Sequence, residues 1–259
     1  MVPHKSIVIL FLSCDNLYML HLDAKGKRVL IISDLHFPWA IDGWFEFLSD
    51  LHKRRKYDLI ISIGDEVDHA GISFHEKEDG MPAASKELEL AIDDMNLMST
   101  LFPRMYILNS NHGSLIFRKA KFHGVPYAFL KPLNELYGCP LYTWHDEILL
   151  HTNQGQVYLC HGKTSAYGRL AKEERVSAAQ GHFHSKAEIT WHKSSAGMIF
   201  NMFVGCLADQ KKIAFNYAKT NIPKFINCVG EIDREGMPHL KFVPRRYFDN
   251  RSSNKVAVD

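Results

Sequence analysis

Four short apolar runs in this chain each stop at a small cluster of polar side chains. The runs are Val29-Leu30-Ile31-Ile32, Leu59-Ile60-Ile61-Ser62-Ile63, Met105-Tyr106-Ile107-Leu108 and Val157-Tyr158-Leu159-Cys160. Short stretches that are apolar at nearly every position read as strands buried on both faces, because a strand with one wet face alternates instead. Asp34-Leu35-His36, Gly64-Asp65, Asn111-His112 and His161-Gly162 follow these runs, and Gly181-His182-Phe183-His184 closes the series. In open α/β sheets, ligand-binding side chains converge outside the carboxyl ends of the strands. Carboxylate, amide and imidazole are donors for hard to borderline divalent ions such as Mn²⁺, Fe²⁺ or Zn²⁺. The chain is therefore constrained to an α/β fold that brings these clusters to one edge around metal.

Helical and strand-like stretches alternate from residue 29 onward. Residues 42–56 place Trp44, Phe45, Phe47, Leu48 and Leu51 at helical spacing, with Asp42 as the expected N-cap. Residues 85–101 repeat the pattern, and Leu88, Leu90, Ile92, Met95, Leu97 and Met98 form the expected buried stripe. Between them, residues 66–84 are polar and punctuated by Gly and Pro, which predicts a loop over the site. Residues 114–140, with Gly124, Pro126, Pro132 and Pro140, predict loops with short helices. Strands are expected at 147–151, 156–160, 187–192 and 198–204, and Asp233-Arg234-Glu235-Gly236 has hairpin-turn chemistry. Strands interleaved with helices, then strands in succession, predict two packed sheets flanked by helices. Nothing divides residues 29–248, which read as one domain. Residues 1–28 form an N-terminal extension, and 249–259 a polar tail that frays.

The chain has 259 residues, 46% of them hydrophobic and 23% charged, which is the composition of a soluble globular protein. A net charge of +2 excludes no partner, because a global balance hides local patches. Cys14, Cys139, Cys160, Cys206 and Cys228 are far apart and odd in number, so reduced, buried thiols of a cytoplasmic protein are expected. The run Ser6–Cys14 behind Lys5 has the outline of a signal peptide ending at a lipid-acceptor cysteine, which leaves export as a minor alternative. Its apolar core is short and Phe11-Leu12-Ser13 is a poor cleavage site. An extra strand or hairpin, or residues upstream of an internal start at Met19, is the favoured reading. No other stretch approaches the ~18 apolar residues of a membrane span.

The ordered set D-x-H, G-D, N-H, H-G, G-H-x-H resembles the calcineurin-like metallophosphoesterase superfamily over roughly Val29 to Gly205. The stretch Gly205-Cys206-Leu207-Ala208-Asp209 is also similar to phosphoesterases of bacteriophage genomes, and the ligand pairs fit the DNA-repair nucleases of the superfamily. The resemblance implies a four-layer α/β/β/α sandwich of two mixed sheets and a binuclear metal centre. It implies that Asp34, His36 and His184 hold one ion, that Asn111, His161 and His182 hold the other, and that Asp65 bridges them. His112 would face the leaving group. Two ions ~3.5–4 Å apart polarise phosphoryl oxygens and lower the pKa of a bridging water. A histidine beside the attacked phosphorus can protonate the departing oxygen. Manganese is the leading metal, with iron or zinc as alternatives.

One position departs from the family pattern. The third motif reads Ser110-Asn111-His112-Gly113, where an acidic residue normally follows the histidine and orients it. Asp68 is the candidate replacement, and His69 is expected at the surface. Arg118, Lys119 and Lys121 are candidate substrate contacts, with a solvated helix face as the competing reading. Lys211-Lys212 and Arg245-Arg246-Tyr247-Phe248 are further basic groups, the second with aromatics that could stack on bases. Three functions compete: a nuclease-like phosphodiesterase acting on DNA or RNA, a phosphatase or small-nucleotide phosphodiesterase, and a scaffold that kept the fold without the activity. The oligomeric state is not legible in a single chain.

Overall fold

The computed structural model describes residues 19–73, 80–194, 197–212 and 224–248. In chain order the elements are β1 (Met19–Asp23), β2 (Val29–Ile32), α1 (Trp44–Arg55), β3 (Leu59–Ser62), α2 (Ala84–Leu101), β4 (Met105–Leu108), α3 (Leu115–Phe122) and α4 (Leu133–Leu136). There follow β5 (Tyr142–His145), β6 (Glu147–Thr152), β7 (Gly155–Cys160), α5 (Arg169–Glu174), β8 (Ser177–Gln180), β9 (Ala187–Ser194), β10 (Gly197–Val204), β11 (Cys228–Ile232) and β12 (Pro238–Phe242).

Two six-stranded mixed sheets result, in the orders β1-β6-β7-β8-β10-β9 and β12-β11-β2-β3-β4-β5. β2, β3, β4 and β5 run parallel, and β11 joins β2 antiparallel. All four residues of β2 are fully buried, and their side chains divide by parity. Val29 and Ile31 pack with Ile148, Leu150, Val157, Leu159, Phe200 and Met202 of the other sheet. Leu30 and Ile32 pack on the opposite face with Phe47, Leu48 and Leu51 of α1 and Met95 and Met98 of α2. The outer face of the first sheet offers Tyr158, Cys160 and Ala178 to Leu170 and Ala171 of α5. These are the four layers. The layer contacts are what hold the motif loops at one edge: Leu48 is fully buried, and truncating such a leucine to alanine costs about 2–5 kcal/mol.

The helices differ from expectation at their ends and faces. Asp42 does not cap α1; Gly43 is the N-cap, and its N–H donates to the Tyr247 carbonyl at 3.0 Å. Asp42 instead accepts from Lys212 at 2.6 Å. The other end follows the rules, with Lys56 in the left-handed conformation and His52, Lys53, Arg54 and Arg55 in the last turn, where cations complement the helix dipole. In α2 the buried line is Glu87, Ala91, Met95 and Met98, spaced at helical intervals, while Leu90 and Leu97 lie off it and are exposed. Glu87 is buried because it accepts from the Trp39 indole at 3.1 Å and the Ala70 and Gly71 amides at 2.9 and 2.6 Å, tying a turn of 3₁₀ helix (Ala70–Ile72) to α2.

The Asp233–Gly236 turn closes as expected, with Asp233 N–H donating to the Met237 carbonyl at 2.9 Å and Gly236 at φ +89°. β1, a strand that the sequence pattern did not mark, pairs parallel with β6. The Ser6–Cys14 run and the tail from 249 lie outside the described residues. Cys139, Cys160, Cys206 and Cys228 are buried free thiols. Tyr247 is buried in the core cluster, with its hydroxyl donating to Asp50 at 2.8 Å, so it presents no face for base stacking. No helix among the described residues is long and apolar enough to cross a membrane.

Candidate metal centre

All five motif loops leave the carboxyl end of a strand. Asp34 follows β2, Asp65 follows β3, Asn111 follows β4, His161 follows β7, and His182 follows β8, a strand the apolar-run pattern did not mark. Four of the side chains stand on backbone with positive φ: Asp34 at 51°, His36 at 49°, Asp65 at 51° and His182 at 66°. Non-glycine residues rarely adopt this conformation, and where they do the surroundings must over-determine it. Close approach adds a second restriction. A Cβ on Gly64 (φ +99°) would stand 2.6 Å from Ser110 Cβ and 2.8 Å from His161 Nδ1, and one on Gly181 would stand 2.6 Å from Asp34 Oδ2.

The loops bring three groups of donor atoms together, each group lying within 4.8 Å: Asp34, His36 and His184; Asp65, His161 and His182; and His36, Asp68 and His112. Asp34 Oδ1 is 3.1 Å from His184 Nε2 and 3.8 Å from His36 Nε2. Asp65 Oδ2 is 3.1 Å from His161 Nε2 and 3.6 Å from His36 Nε2, so one carboxylate oxygen faces both halves of the centre. Asn111 Oδ1 lies 2.8 Å from His161 Nε2. The other carboxylate oxygens are tied down by backbone N–H groups and one hydroxyl. Asp34 Oδ2 accepts from His182 N–H at 2.9 Å and from the Ser33 hydroxyl, and Asp65 Oδ1 accepts from His112 N–H at 3.0 Å. The Gly205–Asp209 stretch also serves this geometry, since Leu207 N–H donates to the carbonyls of Ser33 and Asp34 at 3.2 and 3.1 Å.

The imidazoles are oriented through their far nitrogens. His36 Nδ1 is 2.6 Å from Asp68 Oδ1, and His161 Nδ1 is 2.8 Å from the Ile63 carbonyl. A ring that donates Nδ1–H to such an acceptor turns the Nε2 lone pair inward, as ligating histidines do. The electrostatics follow. Burial of Asp34 opposes its charge, but His184, His36 and His161 outweigh that and hold it well below the carboxylate range. Asp65 is lowered in the same way, burial being overcome by His161, His36 and His112. Burial opposes charging of His161, yet Asp65 and Asp34 raise it to about 9. His182 is shifted down, by burial first and by His161 beside it. A nest of buried carboxylates is thus collecting positive charge.

Asp68 occupies the place where the third motif lacks its acid. Its side chain is buried, and Oδ1 is 3.0 Å from His112 Nδ1, which also lies 2.7 Å from the Asp68 carbonyl. Position 113 is tight for any side chain. A Cβ on Gly113 would meet Ser110 Oγ at 2.9 Å and Glu66 Oε1 at 3.4 Å. Ser110 Oγ accepts from the Asp65 and Gly113 amides at 2.9 and 3.1 Å, which joins the second motif to the third. His69, expected at the surface, is buried with Nε2 3.0 Å from the Tyr137 hydroxyl, and burial lowers it to about 4.

Beside His161 and His182 opens a cleft of ≈ 940 Å³ whose walls include Asn111, Phe117, Arg118, Trp144 and Asp146. Arg118 reaches the cleft and donates to the Asn111 carbonyl; Lys119 and Lys121 are not among the lining residues. Trp144 and Glu66 escaped the sequence reading. The Trp144 indole donates to Glu66 Oε1 at 2.8 Å, and burial pushes the Glu66 carboxyl up to about 7. The signal that could have marked Glu66 is an acidic residue directly after Asp65 on a strand-end loop.

The model of the calcineurin-like phosphoesterase family matches residues 27–219. Solved structures with a similar backbone include an archaeal phosphodiesterase, 13% identical, covering 83% of this chain and 99% of that one with a TM-score of 0.44. Vacuolar protein sorting 29 from Cryptosporidium parvum is 14% identical, covering 84% of this chain and 96% of that one with a TM-score of 0.41. A metallophosphoesterase from Sphaerobacter thermophilus is 16% identical, covering 85% and 89% with a TM-score of 0.40. No curated protein matches the sequence.

Proposed function

The chain belongs to the calcineurin-like phosphoesterase family, and on that premise we propose that it is a binuclear metal-dependent phosphodiesterase acting on nucleic acid, in the manner of the phage and DNA-repair nucleases its motifs resemble. The observation that supports the binuclear centre is the inward orientation of Nε2 on His36 and His161 toward Asp34 and Asp65, buried carboxylates whose ion pairs run to histidines, and the nucleic-acid substrate is taken from the motif resemblance. That donor set fits two divalent cations of the manganese, iron or zinc class, and manganese is put first on the family resemblance alone. Asp34, His36 and His184 would hold one ion, Asn111, His161 and His182 the other, with Asp65 between them. Bound cations supply Lewis acidity to the phosphoryl oxygens and acidify the attacking water.

The chain's own residues do the rest. Asp68 and the Ile63 carbonyl fix the ring planes of His36 and His161. His112, held by Asp68 and 4.6 Å from the His36 ring centroid, stands ready to give a proton to the leaving oxygen. Arg118 brings a cation to the cleft wall for a neighbouring phosphate, and Trp144 and Phe117 offer apolar surface to the rest of the substrate. Lys119 and Lys121 follow Arg118 on the same helix. A small-nucleotide phosphodiesterase or phosphatase is the second reading. The cleft has room for one nucleotide, and the Asn109–Asp146 pair on its wall, joined at 2.7 Å, could read a base edge.

The test is Mn²⁺-dependent hydrolysis of a chromogenic phosphodiester beside the matching monoester, with Asp65→Asn and His112→Ala as variants and bound metal measured for each. Diester cleavage lost in Asp65→Asn, and slowed in His112→Ala without loss of metal, supports the reading. A monoester preference moves the phosphatase to first place. Silence on both substrates with metal bound points to a binding scaffold.

A further inference from the structure

Between Gly113 and Pro132 the chain carries Arg118, Lys119, Lys121 and Lys131 and no acidic residue. In a protein whose net charge is only +2, that is a pronounced local excess. The same stretch holds the two most exposed large apolar side chains of the described residues, Phe129 at 79% and Phe122 at 74%, with Tyr127 at 54% and Val125 at 39%. Single exposed apolar residues need no explanation, but several exposed aromatics within one short segment that also carries four cations and no acid point to an interaction surface.

The surface begins at the cleft. Arg118 and Phe117 line the cleft wall beside His161 and His182. Arg118 and Phe122 are four residues apart on α3 and so are neighbours on its surface, while Leu115 and Ala120 face the interior. The Phe117 ring meets the Tyr127 ring edge-on at 5.7 Å, which joins α3 to the 3₁₀ turn Tyr127–Phe129. Phe122 meets the His123 ring edge-on at 5.0 Å.

We propose that residues 117–131 are a landing surface for single-stranded nucleic acid. Bases stack on Phe122, Tyr127 and Phe129, phosphates lie along Arg118, Lys119, Lys121 and Lys131, and the strand runs over the Arg118 rim into the cleft. The inference rests on the nucleic-acid reading of the metal centre and goes beyond it by naming the form of the substrate and its path. Aromatic side chains stack on bases whose faces are open, as they are in a single strand and not inside a duplex. An anionic lipid surface would also answer to lysine and phenylalanine. The continuity of this face with a cleft floored by phosphoester-type chemistry favours the strand.

The experiment uses the full chain with Mn²⁺, a fluorescein-labelled oligothymidylate and a duplex of equal length, read by anisotropy. The single strand binds more tightly than the duplex, and log Kd against log salt has a slope of magnitude about 3 if all four cations meet phosphates, from roughly 0.7 per contact. Phe122→Ser with Phe129→Ser, both exposed and therefore compatible with folding, weakens single-strand binding by about ten-fold or more. The ratio of oligonucleotide to small-diester turnover falls with it. Binding within two-fold of the parent, equal affinity for duplex, or binding confined to phosphatidylserine vesicles would overturn the proposal. Tight binding that the two serines weaken, without cleavage of the strand, would retire the nuclease reading and leave the surface standing. Asp65-dependent small-diester hydrolysis without single-strand binding would retire the surface and leave the metal-dependent phosphodiesterase standing.

Discussion

Asp68→Asn isolates the electrostatic part of the support that the histidines receive. The substitution keeps shape and an oxygen acceptor, so the contacts to His36 Nδ1 (2.6 Å) and His112 Nδ1 (3.0 Å) can survive while the charge disappears. A hydrogen bond to a charged group contributes about 1.5–3 kcal/mol against about 0.5–1.5 for a neutral one, so losing the charge costs roughly 1–1.5 kcal/mol per bond. The His36 bond is short and buried and takes the full loss. The His112 bond is shared with the Asp68 carbonyl at 2.7 Å and takes about half. The sum is about 2 kcal/mol, or roughly a 30-fold fall in kcat for a small diester at saturating Mn²⁺. This agrees with the ~10–100-fold effect of removing such supporting groups in metal sites. The pH profile reads the same bond independently. Burial lowers the His112 pKa, but Asp68 and Asp65 outweigh it and hold it above the ordinary value. Without the Asp68 charge that pKa falls, so the alkaline limb, where a proton-donating His112 is lost, moves to lower pH. A kcat within two-fold of the parent together with an unmoved alkaline limb would refute the assignment of Asp68 as the orienting acid.

Three further expectations follow from the same geometry. Gly113→Asp, which restores the family's usual acid, should not raise activity and should cost about 1–3 kcal/mol of stability, because its Cβ meets Ser110 Oγ at 2.9 Å; thermal denaturation measures this, and a faster, equally stable variant would count against the packing account. Mn²⁺ at about 100 times its Kd should stabilise by about 2.7 kcal/mol, which is roughly 5–10 °C in Tm for a chain of this size, with the shift lost in Asp65→Asn. Glu231 is buried, accepts from Arg55 Nε at 3.1 Å and the Tyr57 hydroxyl at 2.7 Å, and has a lowered pKa because these partners overcome its burial. Its contribution is present above the unfolded carboxylate value and is lost as pH falls through the folded one. Glu231→Gln should therefore cost about 1–2 kcal/mol near neutrality, the solvent-exposed Arg55 limiting the effect, and less in acid; equal cost at all pH would exclude a charge effect.

The candidate ligand residues, their order and the strands before them were legible because both signals are local. A buried parallel strand writes itself as an unbroken apolar run, as in Val29–Ile32, and a metal ligand must be one of few residue types. α1 was legible for a related reason, since 3.6-residue periodicity sets Phe47, Leu48 and Leu51 on one face without reference to anything distant. β8 was missed because Ser177-Ala178-Ala179-Gln180 is buried through small side chains rather than large apolar ones.

Only the tertiary structure could decide matters that depend on partners remote in sequence. The Tyr247 carbonyl, not the Asp42 side chain, meets the first turn of α1, and Tyr137 draws His69 into the interior. Asp68 became the acid beside His112, and the lining of one cleft by Arg118, Trp144 and His182 came from three separate segments. A local pattern reports which residues a segment can bury or offer to a ligand. Which polar group finds its partner inside the fold depends on distances between segments, and those exist only once the sheets have packed.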